Sequence, residues 1–139
     1  KKHDCTWTFT AGQTPSLAIV GDESMLHYLI DNVVSAFHDI GTDGEIMMQG
    51  DMTDDFVRLD FTYRDHQGPI DDPSNLFYPD HLHYDELTDT MHGMQYLICR
   101  QVVREHDEYG GKRGCRINAL QTADGFCIEV MLNGKIIQN

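Results

Sequence analysis

Apolar and polar positions alternate at the start of the chain in the manner of a half-buried strand. Cys5–Thr10 reads Cys-Thr-Trp-Thr-Phe-Thr, and Leu17–Val20 is a short apolar run after Pro15. The period then lengthens. Leu26, Leu29, Ile30, Val33 and Phe37 recur at helical spacing. Asp22 is placed to accept the free amides of a first turn, and Gly41 suits the stop. Two strands are predicted next, over Glu45–Gln49 and Phe56–Arg64. In the longer one Val57, Leu59, Phe61 and Tyr63 face one way, while Arg58, Asp60 and Thr62 face the other. Asp54-Asp55 between them signals a hairpin turn.

Asp65 to His92 breaks both periods. It holds Gly68, Pro69, Pro73 and Pro79 among several aspartates, and reads as a lid-like loop over about 65–92. From Gly93 the helical period returns: Met94, Leu97, Ile98 and Val102, with Cys99 and Val103, form a broad apolar face. This helix is expected to end near His106–Asp107, before Gly110-Gly111. Two strands, Cys115–Gln121 and Phe126–Leu132, close the chain around an Asp124-Gly125 turn. Met47, Met48 and Met94 read as core filler. Strands and helices do not alternate strictly, which favours an α+β sandwich of two layers over a wound parallel sheet. The sheet is expected to be mixed and mostly antiparallel, packed on the helices.

At 139 residues the chain is long enough for one domain with a proper core. Its 23 acidic and 10 basic residues give a net charge of −13, spread along the chain, which disfavours nucleic acid and anionic membranes as partners. No apolar run approaches the roughly 20 residues of a membrane helix, so direct membrane contact is not expected of this piece. A start at Lys1 rather than methionine is read as that of the C-terminal fragment of a longer signalling protein, any membrane anchor of which would lie outside this piece. Cys5, Cys99, Cys115 and Cys127 show no C-x-x-C spacing and read as buried thiols in a reducing, cytoplasmic compartment.

Several segments resemble, in order and at matching spacings, the nucleotide boxes of the ATPase domain of sensor histidine kinases, the GHKL or Bergerat-type fold. Asp22, Leu26, Ile30 and Asn32 match the N box (D-x-x-x-L-x-x-x-L-x-N-L-L-x-N-A), whose second asparagine, the Mg²⁺ ligand, falls on Ala36. Asp65-His66-Gln67-Gly68-Pro69-Ile70 resembles the G1 box, D-x-G-x-G, with Gln67 and Pro69 in place of both glycines. Leu76-Phe77-Tyr78-Pro79 resembles the F box that packs the lid. Gly93 to His106 resembles the G2 box and the helix after it, keeping Gly93 and the terminal histidine but placing Gln95 and Tyr96 at the crowded helix start.

The resemblance implies the two-layer kinase-ATPase fold and ATP as ligand. It assigns nucleotide contacts to Asn32, Asp65, Gly68 and Gly93, with Asp65 bonding the adenine amino group and Phe77 packing the lid. Ala36 offers no oxygen to a hard cation, which argues against Mg²⁺. The implied role is a degenerate catalytic-type domain serving as a binding or regulatory module in two-component signalling. Implied partners are the upstream domains of the same protein, a response-regulator receiver domain, and a second copy through a dimeric parent. The alternative is a divergent but active ATP-dependent histidine kinase domain that phosphorylates a histidine on a separate dimerisation domain.

Blander readings stand beside these. Asn32 also fits the polar side of a helix, Asp65 a turn after a strand, and Gly93 simple loop flexibility. His81 and His83, with Asp80 and Asp85, fall short of a convergent metal set. His106 reads as a helix C-terminal residue pairing with the dipole. Arg100 and Arg104 are candidates for cationic contacts at a protein interface or a solvated helix face. No nucleophile–base–orienter set is legible.

Overall fold

A computed structural model describes residues 4–11, 17–19, 21–41, 43–53, 55–109 and 113–136. Strands β1 (Asp4–Ala11) and β2 (Leu17–Ile19) precede helix α1 (Glu23–Ile40), which is followed by β3 (Asp43–Thr53) and β4 (Phe56–Asp65). After a turn-rich stretch come β5 (His83–Asp85), β6 (Thr90–His92), helix α2 (Met94–Tyr109), β7 (Arg116–Gln121) and β8 (Gly125–Ile136). The main sheet runs β1-β3-β4-β8-β2, with β7 also on β8. β8 is long enough to take β7 along Phe126–Met131 and β2 along its last residues, Gly134–Ile136. The β1–β3 pair is parallel and every other described pair antiparallel. The predicted α+β, two-layer, mostly antiparallel architecture is therefore observed.

Period two in the strands decides the core. Phe61, Tyr63 and Val57 of β4 and Phe126, Ile128, Val130 and Leu132 of β8 are buried. In register they form the pairs Phe61↔Ile128, Tyr63↔Phe126 and Val57↔Leu132. Leu29, Val33, Ala36 and Phe37 of α1 cover them, together with Tyr96, Cys99, Val102 and Val103 of α2. Each large apolar side chain removed from water in this way contributes roughly 1.5–3 kcal/mol. The opposite face of the sheet is polar: Glu129 joins Arg58 (3.0 Å) and Arg116 (3.0 Å) across strands.

Local chemistry sets the ends of α1 as expected. The Asp22 carboxylate accepts from the amide of Met25 at 2.9 Å, and the Gly41 amide donates to the Phe37 carbonyl at 2.9 Å. Elsewhere the expectations need correction. Met47 and Met94 are 47% and 44% exposed, so they are not core filler. Met47 lies on the outer face of β3 beside Glu45 and Gln49, and Met94 begins its helix; Met48 alone of the three packs against the core. Ile98 is exposed as well, and Tyr96 takes the buried place on α2. The stretch from residue 65 to 92 has structure of its own: a turn at 74–77, a 3₁₀ turn at Pro79–His81 and the β5–β6 hairpin. Three-residue strands that follow a stretch broken by Pro69, Pro73 and Pro79 carry too little periodicity to be read from sequence. Pro15, Val20, Asp54, Gly110, Gly111 and Lys112 lie outside the described residues. Among the described residues no helix is long and apolar enough to cross a membrane.

Candidate functional site

The end of α1 meets β4 through Gly41 and Tyr63 and the start of α2 through Asp39 and Tyr96, while the start of α2 meets the 65–92 stretch through Gly93 and His81. Asp22, at the other end of α1, lies against His106 at the end of α2. Asp65 closes β4 and is 6% exposed. Its Oδ2 accepts the hydroxyl of Tyr63 at 2.8 Å, and its Oδ1 accepts the backbone amide of Gln67 at 2.7 Å. The carboxylate that the resemblance assigns to adenine is thus bonded from within the chain on both oxygens. Tyr63 is itself fully buried, between Ile46 on β3 and Phe126 on β8. Phe37 stacks on Phe126 with centroids 4.9 Å apart and tilts against Tyr63 at 6.2 Å.

The surroundings are shaped to hold this phenol. A Cβ on Gly41 would lie 2.4 Å from the Tyr63 Cζ, and one on Gly44 2.8 Å from it. Any larger residue at these positions collides with the ring. Tyr63 escapes notice as a site residue when the boxes are read one by one. Its signal is the strand period, since residues two apart share a face.

Ala36, at the metal-asparagine position, is fully buried within the core cluster. Asn32, one turn earlier, is half-buried and donates its side-chain amide to the Tyr28 carbonyl at 2.8 Å, a bond along its own helix. Gly68 has φ +103°, a conformation that favours glycine, and a Cβ there would meet nothing within 4 Å. Gly93 has φ +98° and accepts from the amides of Tyr96 and Leu97. A Cβ on Gly93 would stand 3.1 Å from the His81 ring and 3.2 Å from the His81 carbonyl oxygen, so the lid already lies against the start of α2.

Tyr96 ties the lid down. It is buried, meets Phe77 edge-on (6.3 Å) and His81 (5.9 Å), and donates its hydroxyl to Asp39 of α1. Burial, and then the Asp39 carboxylate, push its phenol above the ordinary range and keep it protonated. Phe77 is 1% exposed and Leu76 fully buried, so both are core residues. The cleft left beneath the lid is about 290 Å³ and is lined by Asp39, Ile40, Asp71, Asp72 and His81 among others. Asn32, Asp65 and Gly93 do not line it. Small-molecule sites span about 300–1,000 Å³, so the cleft is small for a nucleotide, and its three aspartates oppose a triphosphate. Among the described residues no group of three or more His, Cys, Asp or Glu is arranged to hold a metal. Ala36 supplies no oxygen ligand at the position of the metal asparagine.

His106 lies in the last turn of α2, as expected of a helix C-terminal residue. It is fully buried, with Nδ1 donating to the Val102 carbonyl at 2.8 Å and Nε2 accepting the backbone amide of Asp22 at 3.0 Å. The imidazole therefore joins α2 to the start of α1. A Cβ on Gly21 would lie 2.3 Å from its Cδ2.

No protein-family profile matches the sequence, and no curated protein is significantly similar to it. Solved structures are. The mycobacterial sensor histidine kinase MprB superposes with a TM-score of 0.67 at 21% identity, over 96% of this chain and 85% of that one. The nucleotide-free catalytic domain of the histidine kinase ThkA gives 0.68 at 17% identity, over 93% and 79%. The Acinetobacter baumannii histidine kinase AdeS gives 0.63 at 9% identity, over 94% of this chain and 54% of the other. The chain has the fold of the catalytic domains of sensor histidine kinases.

Proposed function

We propose that this chain is a kinase-type catalytic fold reused without nucleotide turnover, serving as a regulatory binding module in a cytoplasmic signal-transduction protein. One observation carries the reading: the Asp65 carboxylate is buried and already accepts from Tyr63 and Gln67, which leaves less of it open to an adenine amino group. Ala36 in the core and the acidic cleft under a pinned lid support it. So does the charge of −13, which repels a triphosphate at a distance. The natural partners of such a module are the upstream domains of its own protein, a receiver domain and a second protomer of the parent.

The competing reading is an active ATP-dependent histidine kinase domain. It is favoured by Gly68 and Gly93, which keep positive φ at the two ends of the lid. It requires Asp65 to accept a further bond beside those from Tyr63 and Gln67, and another oxygen to replace the metal asparagine. Amide hydrogen exchange with and without millimolar Mg²⁺–ATP separates the two. The proposal predicts unchanged exchange over residues 65–96. Strong protection of Asp65–Gly68 and of the first turn of α2 would establish nucleotide binding instead.

A further inference from the structure

Along α2, beside Tyr78, the structure holds a feature that the nucleotide boxes do not account for. Arg58, Arg64, Arg113 and Arg116 each face a carboxylate. Arg100 and Arg104 have none among the described residues, in a chain with 23 acidic side chains. They stand four residues apart on α2, hence on one face, and both line a pocket of about 170 Å³ with Arg116 and Asn118 of β7. Arg116 lines the pocket from β7, but its guanidinium is engaged by Glu129 on the polar face of the sheet, and Arg58, which also meets Glu129, has Asp60 as well. The Arg100 guanidinium is steadied 4.8 Å above the Tyr78 ring, another wall of the pocket. Buried Val103 and Ile117 contribute apolar lining.

We infer that this pocket binds a phosphoryl group, free or carried on a residue. The guanidinium groups of Arg100 and Arg104, which no carboxylate among the described residues neutralises, together suit a dianion, whose oxygens accept several N–H bonds at once. At about 30 Å³ per water the volume equals only about six waters. It admits a phosphoryl group with a short attachment and excludes a nucleotide. The inference is independent of whether the lid cleft binds ATP.

Calorimetry with inorganic phosphate and with phenyl phosphate, at fixed ionic strength, tests it. Saturable one-site binding is expected, weakened about tenfold or more in Arg104→Gln and in Arg100→Gln by loss of a charge-assisted bond. It should be unchanged in Arg64→Gln, whose arginine lies elsewhere, and acetate at equal ionic strength should not displace the ligand. Melting curves that match the parent confirm that the variants are folded. Tighter binding of phenyl phosphate identifies a phosphorylated residue as the ligand; equal binding identifies free phosphate. No saturation, an equal loss in Arg64→Gln, or displacement by acetate would overturn the assignment.

Discussion

Tyr63 donates its hydroxyl to Oδ2 of Asp65 at 2.8 Å, and both side chains are buried on the same face of β4. Two residues of strand separation produce this pairing, and the glycines at 41 and 44 give the ring its room. Tyr63→Phe removes one donor to a buried carboxylate while keeping the ring. A loss of about 1–3 kcal/mol in chemical denaturation is expected, without loss of fold. A change below a few tenths of a kcal/mol would mean that the bond does not hold Asp65.

The contact between Gly21 and His106 predicts non-additive mutations. Gly21→Ala drives a methyl into the imidazole and is expected to cost about 1–3 kcal/mol. His106→Ala opens a cavity and removes the acceptor of the Asp22 amide, at about 2–4 kcal/mol. In the double variant the collision is gone, so the summed losses should exceed the observed one by at least about 0.5 kcal/mol. Strict additivity in urea denaturation would show that the ring does not rest against residue 21.

Acid stability should report on Asp107. Burial raises its pKa, but the amides of Cys115 and Gly114 and the charge of Arg113 outweigh this and leave the carboxyl below its ordinary value. A folded value below the unfolded one adds stability above the unfolded pKa of about 3.9, and that stability is lost as pH falls through the folded value. The melting temperature should therefore drop below about pH 4, and Asp107→Asn should flatten that limb. Parallel limbs in the two proteins would contradict the clamp.

Cys99 is fully buried, and burial pushes its thiol up to about 12. Because the thiolate is the reactive form, iodoacetamide at pH 8 should leave Cys99 unlabelled in the native protein. Mass spectrometry should find it modified only in denaturant. Rapid native labelling would place it outside the core.

Much of the fold is legible in the sequence, and the reasons are local. Asp22 caps α1, period two fixes the buried face of β4, and Asp124-Gly125 turns β7 into β8. Less of the site is legible. Asp65, Gly68 and Gly93 are conspicuous as motif positions, but a motif does not say who occupies a carboxylate. Tyr63 reads as one more apolar strand residue until its hydroxyl is seen against Asp65. Tyr96 looks like bulk at a helix start until it reaches Asp39, across a sequence distance no period spans. His106 belongs by position to a helix end, and only the packing of α2 on α1 buries it. Interactions between distant segments decide all of these, and local patterning carries no information about them.

The central claim is that the nucleotide position is filled by the chain itself, and calorimetric titration with ATP, with and without Mg²⁺, tests it most directly. No detectable binding up to several millimolar is predicted, in the parent and in Asp65→Asn alike. Micromolar to sub-millimolar binding that is lost in Asp65→Asn would contradict the account, and dependence of that binding on Mg²⁺ would identify a working kinase domain.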